Sequence, residues 1–134
     1  GKYEGLTGKI MSGQEKFNLQ ERLIRYSVRV INVCNALLPT DARSHIYDQL
    51  LRSGTAVAAN YAEAQGAESR NDFIHKVKIS LKELRETEVW LKIIMEAKLV
   101  KSRGSLNSLL DETGELIAIF VRSIRTAKEN NLKK

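Results

Sequence analysis

Residues 17–39, FNLQERLIRYSVRVINVCNALLP, decide the fold. Their apolar positions Leu19, Leu23, Tyr26, Val30, Val33 and Leu37 recur at steps of four, three, four, three and four. At about 3.6 residues per turn this spacing lines one face of an α-helix, whereas a half-buried strand would alternate. A helix is therefore expected over about Leu19 to Leu38. Pro39 ends it, because proline has no amide donor and pushes the preceding residue out of the helical region.

The same reading extends along the chain. Thr40 or Asp41 is expected to cap a second helix over about Ala42 to Gln65, with Ile46, Leu50, Val57, Tyr61 and Ala64 on its inner side. Small residues from Ser53 to Ala62 fill its middle. Gly54 costs about 1 kcal/mol there relative to alanine, which implies close contact with another helix, helix 3 by this reading. Gly66 reads as a left-handed stop and Ser69 as the next cap. A third helix follows over about Arg70 to Ala97, with Phe73, Val77, Leu81, Leu84, Leu91 and Met95 on one face. After a break around Lys98–Gly104, Ser102 or Ser105 is expected to cap a fourth, reaching about Lys128. Its inner residues run from Leu106 through Thr113, Leu116 and Phe120 to Ile124.

Short connections between long amphipathic helices make neighbours antiparallel, so the expected fold is all-α, an antiparallel up-down four-helix bundle. The bundle is assigned to residues 17–129. Residues 1–16, with four glycines and no sustained apolar period, read as a flexible arm, and residues 130–134 as a frayed tail.

A chain of 134 residues suffices for one domain with its own core. The single cysteine, Cys34, excludes an internal disulfide and sits among apolar residues as a small buried hydrophobe. A reducing cytoplasm is the expected location. Neither a membrane span nor a signal-peptide pattern is evident.

Several chemistries lack their residues. A ferritin-type di-metal bundle needs paired Glu-x-x-His motifs, and the nearest match is a single Asp72-Phe-Ile-His75; His45 is the only other histidine. There is no nucleophile elbow and no phosphate-cradling glycine loop. Catalytic residues, metal and cofactor are therefore expected to be absent, and the protein is read as a non-enzyme.

The charges are more suggestive. Formal net charge is +6, with a pI near 9.6, which favours a polyanionic partner. The excess resides in the first and last elements, which would put it on one part of the surface if those elements are neighbours. Arg22, Arg25 and Arg29 step along helix 1, Arg122 and Arg125 sit near the end of helix 4, and Lys78, Lys82 and Arg85 form a row on helix 3. Such rows suit successive phosphates of RNA or a ribonucleoprotein; the competing reading is an ordinary solvated helix face.

Glu83, Glu86 and Glu88 leave similar alternatives. They could form intrahelix pairs such as Lys82–Glu86 and Arg85–Glu88. Alternatively Glu88, on the apolar side, could take Arg52 or Asn60 as a partner across the helices. Trp90, with Val89, Ile93 and Ile94, widens the apolar surface of helix 3 beyond one face. Neighbouring helices or another subunit could cover it.

The stretch Leu51-Arg-Ser-Gly-Thr-Ala-Val-Ala-Ala-Asn-Tyr-Ala-Glu-Ala64, followed by Asp72-Phe-Ile-His-Lys and Leu81-Lys-Glu-Leu-Arg-Glu-Thr-Glu-Val-Trp-Leu91, resembles the bacterial four-helix bundle proteins also called 23S rRNA intervening-sequence proteins. The resemblance covers about residues 17–125. It implies an up-down bundle that assembles as a homo-oligomer, a ring-like pentamer, and a link to ribosomal RNA genes. A related branch, the accessory variability determinant of diversity-generating retroelements, is a basic pentamer that binds reverse transcriptase and nucleic acid. Arg52, Ser53, Asn60, Glu63, Asp72, Phe73, Glu83 and Glu88 match the motif, and the resemblance gives them structural roles. The leading expectation is an RNA or ribonucleoprotein binder acting through Arg22, Arg25, Arg29, Arg122 and Arg125. The alternative is a protein–protein adaptor or structural subunit with no nucleic-acid role.

Overall fold

The computed structural model describes the backbone of residues 13–132 and the side chains of residues 19–130. Four helices make up the described chain: α1 (Gly13–Ala36), α2 (Arg43–Gln65), α3 (Arg70–Glu96) and α4 (Arg103–Leu132). No strand occurs among the described residues. Helix α1 takes in residues 13–16 of the segment read as an arm. Residues 1–12 and 133–134 lie outside the described residues.

The stripe that predicted α1 faces inward along its whole length: Leu19, Leu23, Tyr26, Val30, Val33 and Leu37 are all buried. They meet Leu50, Val57 and Tyr61 of α2, Phe73, Leu84 and Leu91 of α3, and Leu109, Leu116 and Phe120 of α4 in one continuous core. The rings of Tyr61 and Phe120 stack with centroids 5.9 Å apart. Burying each large side chain contributes roughly 1.5–3 kcal/mol, which explains why the periodic residues dictate the packing. Each helix packs on the next, and α4 returns to touch α1 along the thinnest seam of the four.

Small residues set the distance between helices. A Cβ on Gly54 would lie 2.5 Å from Cγ1 of Val30, so the close approach made possible by this glycine is between α2 and α1, not α3 as its place in the sequence suggested. Toward α3 the small residues act through their hydroxyls instead. The hydroxyls of Ser53 and Thr87 lie 2.9 Å apart, and Ser80 donates to the Val57 carbonyl at 2.7 Å. These bonds satisfy buried polar groups without burying charge.

Helix α1 stops at Ala36, before the expected Leu38, and α4 runs past Lys128 to Leu132; the caps depart from expectation as well. Neither Thr40 nor Asp41 caps α2 with its side chain; the cap residue is Ala42, and the carbonyl of Thr40 accepts from the Arg43 amide at 3.1 Å. Gly66 has φ −95° and so is not left-handed. The left-handed residue is Lys98, φ 55°, just past α3. Leu99 N bonds Ile94 O at 3.0 Å and Lys98 N bonds Met95 O at 3.2 Å, the paired bonds of a Schellman motif. A side chain is strained in that conformation and glycine is not. Lys98→Gly is therefore expected to raise the unfolding free energy by about 0.5–1 kcal/mol, read from the denaturant midpoint. Ser69 accepts from Asp72 N at 3.0 Å and Ser102 from Ser105 N at 3.4 Å, as their positions predict.

Candidate nucleic-acid interface

Because α1 and α4 are neighbours, the arginines of the first and last helices share one side of the bundle. Three side chains of α1 hold the seam among the described residues. Arg22 donates from Nε and Nη2 to the two carboxylate oxygens of Glu112 at 2.8 and 2.7 Å, and reaches Glu115 at 3.1 Å. The Tyr26 hydroxyl lies 2.6 Å from Thr113 Oγ1. Thr113 itself donates to the Leu109 carbonyl, so Tyr26 is the donor in that pair. Arg29 donates to Ser108 Oγ at 2.9 Å.

The five predicted arginines therefore differ in standing. Arg22 is committed to carboxylates and joins α1 to α4. Arg25 is about two-thirds exposed and touches only Glu21, at 3.9 Å. Arg29 is half-buried at the seam, and Arg122 and Arg125 are exposed on α4. On the other flank of α4, Lys78 of α3 lies beside Lys128. A side-chain hydrogen bond with Lys128 and that residue's charge hold Lys78 below the usual ammonium range. Lys128, three residues after Arg125, continues the row of Arg122 and Arg125, although the reading from sequence stopped at Arg125.

Electrostatics explain the Arg22 clamp. Burial alone would raise the Glu112 carboxyl, but the hydrogen bonds from Arg22 and its charge outweigh that and hold it below the usual carboxylate range. A carboxyl depressed in the folded state adds stability above its unfolded value of about 4.3, and that contribution disappears as pH falls through the folded value. Glu112→Gln is accordingly expected to cost about 1–2 kcal/mol at neutral pH and progressively less below about pH 4, in denaturant titrations across that range. A difference independent of pH would contradict the clamp.

The second cluster lies between α2 and α3. Arg52 donates to Glu83 at 3.1 Å and also reaches Glu86, and the Trp90 indole donates to Glu86 at 3.1 Å. Glu63 pairs with Lys76 at 3.6 Å. Glu88 pairs with Lys92 one turn along its own helix, and Asn60 donates to Ala56 O within α2. Neither Arg52 nor Asn60 reaches Glu88, and the pairs Lys82–Glu86 and Arg85–Glu88 are replaced by these partners.

Other candidates are quiet. Burial pushes the free Cys34 thiol up to about 11, so it stays protonated at neutral pH. Burial likewise raises the Tyr26 phenol, keeping it a neutral donor. His75 and His45 are exposed, with His45 edge-on to Trp90 at 5.8 Å. Among the described residues no group of three or more potential ligands is placed to hold a metal, and no helix is long and apolar enough to cross a membrane.

Two apolar strips remain on the outside. Ile24, Val28 and Ile31 on α1 are 51%, 50% and 36% exposed, and Val89 and Ile93 on α3 are 54% and 39% exposed. Helices α1 and α3 lie across the bundle from each other, so the strips occupy different sides.

Comparison with known proteins gives a consistent picture. A family model described as 23S rRNA-intervening sequence protein matches residues 11–122. A solved structure, described as a protein with unknown function from the S23 ribosomal protein family from Bacteroides thetaiotaomicron, is similar with a TM-score of 0.72 and 32% identity, over 78% of this chain and 96% of that one. No curated protein matches.

Proposed function

The chain belongs to the 23S rRNA-intervening sequence protein family, and from that premise we propose that it is a non-enzymatic, antiparallel up-down bundle that assembles as a homo-oligomer in the cytoplasm and binds structured RNA or a ribonucleoprotein. The observation that carries this reading is the basic surface centred on α4: Arg25 and Arg29 on one flank, Arg122 and Arg125 on the helix itself, and Lys78 beside Lys128 on the other. Cations from three helices facing one side suit a phosphate backbone better than they suit self-association. Arg22 belongs to this face as the residue that holds α1 against α4.

Oligomerisation is supported by the exposed strips. Burial of Ile24, Val28 and Ile31 by one neighbour and of Val89 and Ile93 by another makes a head-to-tail contact, which closes into a ring when the rotation permits. The resemblance to the four-helix bundle proteins favours five copies.

Protein purified without nuclease, measured by native mass and by absorbance at 260 and 280 nm, tests the reading. A multimer carrying RNA, with affinity for ribosomal RNA fragments that falls as salt rises, is the expected result. A multimer stable in high salt with no nucleic acid and no affinity at low salt would favour the adaptor reading, in which the apolar strips are the working surface and the charges serve solubility.

A further inference from the structure

From the Arg29–Ser108 contact toward the end of α1, the two helices part to leave a groove of about 580 Å³. Its floor is the buried Val33, Val100, Leu106 and Leu109. Its rim is polar: Arg29 and Asn32 on the α1 side, and Ser102, Ser105 and Ser108 at or near the start of α4. No carboxylate lines it.

A concave site of about 300–1,000 Å³ with an apolar floor and a few convergent polar groups is the usual form of a small-ligand site. We propose that this groove takes a single unpaired nucleotide of the bound RNA, its base against the apolar floor and its phosphate at Arg29. The inference rests on the RNA reading above and specifies what the RNA must offer.

The lining chooses the ligand. Arg29 spends one of its five N–H donors on Ser108 and is the only cation in the groove, so one anionic group is accommodated. The Asn32 amide both donates and accepts, and Ser105 and Ser108, whose oxygens accept from Ser102 and Arg29, each keep a hydroxyl hydrogen to donate, which matches the mixed edge of a nucleobase. A fatty acid would use Arg29 and the floor but leave the Asn32 amide without a partner. RNA recognition commonly targets unstacked bases in loops and bulges, which are free to enter such a groove one at a time.

The test uses the intact protein and two RNA hairpins that differ only in a single bulged 2-aminopurine. The bulged hairpin is expected to bind about tenfold tighter than the paired one, with a change in 2-aminopurine emission on binding. Ser105→Phe and, separately, Ala36→Leu fill the groove from different helices. Each should bring the two hairpins to within about twofold of each other while leaving the paired hairpin's affinity unchanged. Equal binding of both hairpins by the unmodified protein overturns the groove assignment and leaves the phosphate-binding reading standing. Failure to bind either hairpin overturns both. Retention of the preference by both filled variants, or a change of oligomeric mass in place of a change in preference, also overturns the assignment, the latter by making the groove a subunit contact.

Discussion

Glutamine at Arg25, Arg29, Arg122 and Arg125 together is expected to weaken binding of a structured ribosomal RNA fragment by about three orders of magnitude at about 50 mM salt, and by much less at several times that concentration. Each cation that neutralises a phosphate releases condensed counterions, so the slope of log affinity against log salt should become shallower by roughly 0.7–0.9 per arginine removed. Two of the four are plainly exposed on α4, Arg25 is held only by a 3.9 Å contact, and Arg29 has one serine partner, so none is needed to close the core. Secondary structure and unfolding midpoint should stay near those of the parent. Arg22 is left out because its loss would free Glu112 and Glu115 and confuse affinity with stability. A quadruple variant with unchanged affinity and salt slope would end the phosphate reading.

Gly54→Leu should lower the unfolding free energy by about 3 kcal/mol, and Gly54→Ala by about 1–2. Alanine is favoured over glycine within a helix by about 1 kcal/mol, so the sign of the alanine result is informative. The added Cβ would stand 2.5, 2.9 and 3.0 Å from three atoms of Val30, a side chain that is itself fully buried and has no free space to move into. Shortening the neighbour should relieve the clash: Gly54→Ala combined with Val30→Ala is expected to cost at least about 1 kcal/mol less than the sum of the single changes. Denaturant unfolding at one protein concentration measures this, since mass action shifts the apparent stability of an oligomer. A Gly54→Ala variant as stable as its parent would show that the α1–α2 spacing is not fixed here.

These results separate what periodicity reveals from what it leaves out. Steps of three and four state which residues of α1 face inward, and all six do. They do not state which neighbour a flank meets, so the intolerance of a side chain at Gly54 was legible while its partner was not. Nor does spacing state which carboxylate an arginine takes: Arg52 meets Glu83 and Glu86, while Glu88 pairs with Lys92. Charge spacing identified the arginines of α1 and α4, but only the tertiary pairing showed that Arg22 is taken by carboxylates and that Lys78 meets Lys128. The groove has no sequence signature, because Arg29 and Ser108 are 79 positions apart. The left-handed residue was sought at a glycine and is a lysine, since a Schellman motif requires the conformation and merely prefers glycine.

The thin α1–α4 seam also sets an order of events in the native protein. Its bonds join residues 79 to 93 positions apart, yet among the described residues this is the least extensive of the four helix contacts, and α2–α3 the most. Loop closure makes such distant contacts entropically costly to form. Native-state amide hydrogen exchange should therefore detect a partial opening in which α1 leaves α4 before the rest of the bundle unfolds, while α2 and α3 exchange only through global opening.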